Sequence, residues 1–285
     1  TGHGVLDKIS IRNMDVQHQD FLESRKTGTR TPGIVTDSVS DLPPEVVQRL
    51  GISVVPLIVR FGTQALRDGI DMSVEEFYQR LAEGGSFPTT SVPSPQSYAD
   101  TYDLLAEETD TILVLTLSSR LSGAYNVAVQ AVDLMKKKCR VEVFDTGWAA
   151  MAEGFLAMKA AEAANSGSGV DQVLNMLKHT LERIDFLATF DTLEYLRRGG
   201  RIGPATARAG DVLNINPLIH LKNGKVSPAG AAVSRRRAIN KLYRFAARFK
   251  NVEKIGIENG ACQSDADALE KALKEVHPHA EFYSS

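Results

Sequence analysis

Strand-like and helix-like segments alternate along most of this chain, which predicts an α/β fold whose first sheet is mostly parallel and covered by helices. A second observation is the run Thr111-Ile-Leu-Val-Leu-Thr-Leu117, apolar on both alternating faces, as suits a strand covered on two sides. A third is Ser166-Gly-Ser-Gly169, a linker-like stretch after which a second series of helices and strands begins. Two α/β domains are therefore expected, over 33–168 and 169–285, preceded by a polar N-terminal arm over 1–32.

The elements follow from local chemistry. A strand at 34–36 ends in Asp37-Ser-Val-Ser-Asp41; Pro43 and Pro44 then suit a first helical turn, and Gly51 its stop. Residues 52–59 form one β-rich run. Ser73 with Glu76 has capping-box spacing before a helix over 74–83 closed by two glycines. Ser94-Pro95 opens a helix to 108, the strand 111–117 follows, and then come a helix over 123–138, a strand at 141–144 and an Ala-rich helix over 148–165. The second half predicts a helix over 170–183, a strand at 186–190 and a Gly-rich segment at 197–203. Asn223-Gly224 carries the residues of a tight hairpin turn. A helix over 235–249, a strand at 254–257 and a helix over 265–276 complete the second unit. The lone Trp148 reads as core.

Composition excludes several classes. Over 285 residues, 43% are hydrophobic and 24% charged, ordinary values for a globular protein with a sizeable core. A formal net charge of −2 argues against wholesale nucleic-acid binding. Cys139 and Cys262 are the two cysteines, so neither a disulfide framework nor a CxxC zinc site is expected, and a cytoplasmic setting fits. No apolar run is long enough to span a membrane. The first thirty residues lack the apolar core of a signal peptide, and the chain does not start with Met. There is no GxxxxGK[ST] phosphate loop and no GxSxG nucleophile elbow, and the six histidines are scattered without metal-ligand spacing. No metal and no cofactor is expected.

Five segments carry candidate chemistry. Thr36-Asp37-Ser38 ends the first strand; its carboxylate and hydroxyl either orient a ligand or form an Asx turn before the helix. Two hydroxyl runs, Thr89-Thr-Ser-Val-Pro-Ser94 and Ser118-Ser-Arg-Leu-Ser-Gly123, flank the strand at 111–117, the second where that strand yields to a helix. That place favours an anion. Thr90, Ser91 and Ser122 are the candidate donors, and Gly123 allows close backbone approach. Hydroxyls bind a carboxylate without burying a cation, which suits a ligand with an apolar tail. In the fourth segment Gly199-Gly200 sits between arginines: Arg197 and Arg198 are explained by a helix C-terminus, and Arg201 less well, leaving it as an anion contact. In the fifth, Arg235, Arg236 and Arg237 open a helix against its dipole, which reads either as a docking patch for an acidic partner or as a solvated face.

These segments, taken in order, resemble the DegV-type bacterial fatty-acid-binding proteins. The resemblance runs from about residue 33 to about 282 through Val35-Thr-Asp-Ser38 with Asp41-Leu-Pro43, Ile52-Ser-Val-Val-Pro-Leu57, Arg67-Asp-Gly-Ile70, Pro88-Thr-Thr-Ser-Val-Pro-Ser94, Ser118-Ser-Arg-Leu-Ser-Gly123, Asp191-Thr-Leu-Glu-Tyr-Leu196 and Gly199-Gly-Arg-Ile-Gly203. It implies a long-chain fatty acid such as palmitate, stearate or oleate buried between the two domains. Its carboxylate would lie on Thr90, Ser91, Ser122 and Gly123, with Arg201 near the head group. It further implies a carrier, not an enzyme, that presents the acid to a separate ATP-binding fatty-acid kinase. That kinase makes acyl phosphate for phospholipid synthesis, and Arg235–Arg237 would serve its docking.

Relatives usually continue into a Gly-rich segment with a histidine near the carboxylate, whereas this sequence stops at Ser285; His277 and His279 do not match that motif. Two other readings stand beside the carrier. One is an enzyme acting on a small carboxylated or phosphorylated metabolite, since fold does not fix function. The other is a nucleic-acid or regulatory module resting on the arginine clusters.

Overall fold

The computed structural model describes residues 31–202 and 215–285. The expected arm over 1–32 lies almost wholly outside the described residues, as does Gly203. The first sheet has the order β2-β1-β6-β7, with β1 at Gly33–Asp37, β2 at Ile52–Val55, β6 at Thr111–Thr116 and β7 at Arg140–Asp145. Every pairing in it is parallel. A separate antiparallel sheet, ordered β4-β3-β5, is built from Ile58–Phe61 (β3), Gln64–Arg67 (β4) and Pro88–Ser91 (β5). The β-rich run at 52–59 is thus two strands in two sheets. Pro56 supplies the reason: it has no N–H for a ladder and breaks the run where the chain leaves the parallel sheet.

The parallel sheet is covered on both faces. On one side Val35, Ile112 and Val114 pack against Tyr98, Tyr102, Ala128 and Ala131 from α3 (Pro95–Leu105) and α4 (Ala124–Val132). On the other, Ile34, Leu113 and Leu115 meet α1 (Pro44–Leu50), α5 (Met151–Asn165) and α6 (Val170–Thr180). The helix after the Ser166-Gly-Ser-Gly169 turn therefore buries Val170, Val173 and Leu177 in the first unit's core. Local signals set the ends of two helices as expected, whereas the helix expected over 123–138 ends at Val132, the one expected to 108 ends at Leu105 and the Ala-rich one starts at Met151. Gly51 caps α1 at φ 66°, and Ser73 accepts a hydrogen bond from Glu76 N–H at the start of α2 (Val74–Glu83).

The second unit holds an antiparallel sheet of β8 (Ala188–Thr189), β9 (Asn216–Lys222) and β10 (Lys225–Ala232), and a parallel pair, β11 (Lys254–Ile257) and β12 (Glu281–Ser284). Its helices are α7 (Glu194–Arg198), α8 (Arg235–Ala247) and α9 (Gln263–Val276). Asn223 and Gly224 both take positive φ, 50° and 74°, as the primed hairpin turn demands. The expected strand at 186–190 shortens to two residues.

The two units share a tight seam along α5. A Cβ on Gly256 would lie 2.9 Å from the Met151 Cβ, so β11 approaches this helix as closely as glycine permits. The Met151 N–H donates to Glu258 (2.8 Å), and Lys254 pairs with Glu162 (3.0 Å).

Candidate functional site

Three of the sequence-derived segments meet around residues 121–123. β5 places Thr90 exposed and Ser91 half-buried, with the Ser91 hydroxyl accepting from Arg60 Nε (3.3 Å). The following Val92 lies beside Gly123: a Cβ there would sit 3.9 Å from Val92 Cγ1. From the second unit, Arg201 donates through Nε to the Leu121 carbonyl (3.3 Å) and through Nη1 to the Gly199 carbonyl (2.6 Å). Gly200, at φ 75°, makes the turn that brings the guanidinium there. Ser122 is half-buried just before α4, its hydroxyl accepting weakly from Ala124 N–H (3.3 Å). The first-turn N–H groups of α4 have no acceptor within their own helix, and the helix dipole adds a positive field at this spot. The Ser122 hydroxyl, the first-turn backbone donors of α4 and one guanidinium therefore lie together, an arrangement whose charge would suit an anion, with the hydroxyl run of β5 alongside through Val92.

A clasp that sequence reasoning missed closes the site. Ser118 is fully buried; its hydroxyl donates to the Gly224 carbonyl (2.8 Å) and accepts from Arg120 N–H (3.2 Å). The hairpin turn of the second unit is thus fastened to the strand-end loop of the first. The Asn-Gly pair signalled the turn, but nothing local signals its docking partner. A Cβ on Gly224 would come within 2.6 Å of Ser118 Oγ. Gly224→Ala is accordingly expected to cost about 2 kcal/mol, from the left-handed backbone and the clash together. The outcome to look for is faster amide exchange in the hairpin; unchanged exchange would mean the clasp is slack.

A second bridge lies beside it. Phe87, next to the hydroxyl run of β5, stacks on Tyr195 of α7 (5.1 Å, 13° between planes), with Arg198 over the Phe87 ring (4.6 Å). Arg197 and Arg198 both pair with Glu194, the helix-terminal role their position suggested.

Asp37 and Ser38 serve the framework. One Asp37 oxygen accepts from Val39 N–H (3.0 Å), an Asx turn, and the other from Leu117 N–H (3.0 Å), pinning the end of β6 just before Ser118. Burial pushes the Asp37 carboxyl up to about 6. Ser38 donates to Asp68 (2.8 Å) and accepts from Leu57 N–H (3.1 Å). Glu153, on α5, was not anticipated from sequence. It is fully buried; Thr36 donates to its Oε1 (3.1 Å), its Oε2 has no partner, and burial raises its pKa well above the usual carboxylate range. The signal available was an acid inside an otherwise Ala-rich helix.

The arginine run divides. Arg235 is held by Asp265 (2.5 Å) and Asp191 (3.0 Å), whereas Arg236 and Arg237 are exposed. His277 is buried with Nε2 at 3.1 Å from the Ala246 carbonyl, tying α9 to the end of α8. Among the described residues no cluster of His, Cys, Asp or Glu is arranged to hold a metal, and no helix is long and apolar enough to cross a membrane.

What the fold defines is a two-unit α/β protein in which strand-end loops and one helix N-terminus of the first unit meet the second unit at the seam. The chain belongs to the DegV family: the model for "Uncharacterised protein, DegV family" matches residues 31–285. Among its relatives, a DegV domain-containing protein of Streptomyces coelicolor is 40% identical over 220 residues, covering 77% of each chain. Protein DegV of Bacillus subtilis is 30% identical over 259 residues, 88% of this chain and 91% of its own. A DegV family protein of Thermus thermophilus, described for its fatty-acid binding, superposes with TM-score 0.80 at 34% identity over 90% of this chain and 92% of that one. DegV of Bacillus subtilis, described as a fatty acid binding protein, gives 0.82 at 27% identity with the same coverage. A stearic-acid-binding protein of Eubacterium ventriosum gives 0.79 at 26%, over 88% and 89%.

Proposed function

We propose that this chain binds a long-chain fatty acid between its two units and presents the carboxylate to a separate fatty-acid kinase. The observation that carries the reading is the meeting of the Thr-Thr-Ser, Ser-Gly and Gly-Gly-Arg segments around residues 121–123, in a family whose structural neighbours bind fatty acids. Thr90, Ser91 and Ser122 donate hydroxyl hydrogen bonds to the carboxylate, the Gly123 backbone approaches it, and Arg201 balances its charge. Each methylene taken out of water contributes about 0.8 kcal/mol, so a palmitate tail offers about 12 kcal/mol before ordering and desolvation are subtracted. The tail supplies affinity and the hydroxyls set position. The chain is then a carrier and no enzyme, without a cofactor. ATP chemistry belongs to the cytoplasmic partner, whose acyl phosphate feeds phospholipid synthesis, and Arg236 and Arg237 are the members of the basic run free to meet it.

Protein purified from a bacterial host should yield near-stoichiometric fatty acid on solvent extraction and gas chromatography. A clean protein that also refuses added palmitate and oleate would sink the reading. Ser122→Ala should keep the fold and weaken binding by about 1.5–3 kcal/mol, the worth of one hydrogen bond to a charged group. Unchanged affinity in competition with a fluorescent fatty acid would place the head group elsewhere.

A further inference from the structure

On the second unit's surface a groove of about 290 Å³ runs between α8 and α9. Its walls are Arg236, Ile239, Asn240 and Tyr243 of α8 and Ala268, Leu269 and Ala272 of α9. The α8 residues recur at the i, i+3, i+4, i+7 positions of one helix face, and the two alanines of α9 lie one turn apart. Small side chains at that spacing let another backbone come close.

Charge on the α8 side of the groove is one-sided. α8 carries Arg235, Arg236, Arg237, Lys241 and Arg244 and no acidic residue. Arg235 is engaged by Asp265 and Asp191, which fixes α8 against α9 and holds the groove's shape. Arg236, Arg237 and Arg244 are exposed, and among the described residues no acidic side chain lies within ion-pair distance of them. Three of the four acids of α9 are turned to other partners, Asp265 to Arg235, Asp267 to Gln263, and Glu270 to Lys274 and Ser284, while the fourth, Glu275, is exposed near the C-terminal end of the helix. Arg236 and Arg237 stand in the first turn and oppose the helix dipole, so local stability does not account for them, whereas Arg244 in the last turn complements it.

We propose that this groove docks an acidic amphipathic helix of a partner protein, its apolar stripe on Ile239, Tyr243, Ala268 and Ala272 and its carboxylates on Arg236, Arg237 and Arg244. The proposal rests on the docking part of the function above and is independent of which ligand fills the crevice. The helix-in-groove mode supplies affinity through buried anchors, while the arginines steer encounter and set orientation.

The test uses fluorescein-labelled synthetic helices on the full chain: one acidic with an apolar stripe, one basic with the same stripe, and one acidic with the stripe scrambled. Only the first should bind, with affinity falling as salt rises. Ala268→Glu, at an exposed position, should weaken it about tenfold, and Arg236→Glu by a similar factor. Equal binding of the scrambled acidic peptide overturns the groove while leaving the arginines as a docking patch. Equal binding of the basic peptide, or no binding of the acidic striped one, overturns the proposal. So does binding to phosphatidylglycerol vesicles that Ala268→Glu leaves intact while peptide binding is absent, since the basic helix would then face a membrane. Retained fatty acid, measured on the same samples, reports on the carrier reading separately.

Discussion

Gly154→Ala is expected to destabilise the protein by about 3 kcal/mol, reversing the usual effect of this substitution inside a helix. In an exposed helix interior the change would stabilise by up to about 1 kcal/mol. Here α5 crosses the short 3-10 turn Ser38–Ser40, and a Cβ at 154 would stand 2.4 Å from the Ser40 carbonyl oxygen and 3.0 Å from Leu42 Cδ2. A backbone atom cannot swing aside as a side chain can, so the helix must retreat. Met151 and Glu153 lie within one turn of Gly154, so the same retreat loosens the Met151–Glu258 bond at the seam and the Thr36–Glu153 bond in the core. Urea unfolding should show the midpoint fall with little change in slope. A midpoint that stays or rises would mean the helix tolerates the methyl group and the close approach is unimportant.

The second large effect concerns pH. Stability should fall as pH rises from about 4 to about 7, the reverse of what surface ion pairs produce. Asp37 titrates at its ordinary 3.8 when unfolded and at about 6 when folded, because burial disfavours its charged form more than its two backbone donors favour it. A group raised by folding contributes stability fully below the unfolded value, and that contribution is lost as pH climbs through the folded one. Two units amount to about 3 kcal/mol.

Glu153 acts in the same direction: burial raises its pKa well above the usual carboxylate range, and the one hydrogen bond from Thr36 offsets only part of this. Asp41 and Glu258 share a hydrogen bond and are likewise raised, mainly by burial; Asp41 keeps contact with solvent, which softens its part. Opposing them are carboxylates lowered by partners, Asp71 and Glu194 among them, but these are on the surface and contribute little. Urea midpoints at about pH 5 should therefore exceed those at about pH 8. Asp37→Asn should flatten the difference: below pH 5 the variant loses one hydrogen bond, about 1 kcal/mol, and at pH 8 it regains this by avoiding a buried charge. Identical pH profiles for the two proteins would remove Asp37 from the explanation.

Much of this protein was legible in its sequence because short-range rules set much of it. The alternation of elements, the proline start and glycine stop of α1, the Ser73 cap and the Asn223-Gly224 turn are each fixed by residues a few positions apart. The hydroxyl runs were visible for the same reason, since a strand running into a helix marks a candidate position by chain order alone. The split at Pro56 was not read, since 52–59 looks like one β-rich run, although the missing N–H that causes it is itself local. What the sequence left open was pairing between distant positions. Ser118 and Gly224 are 106 residues apart, and Thr36 and Glu153 117. Whether Asp37 faces a ligand or a backbone, and which of Arg235, Arg236 and Arg237 is already paired, depended on what the chain folds against them. A hydroxyl, a carboxylate and a guanidinium have the same local chemistry in either role; only tertiary packing assigns the partner, because burial and charge neighbours come from segments remote in the chain.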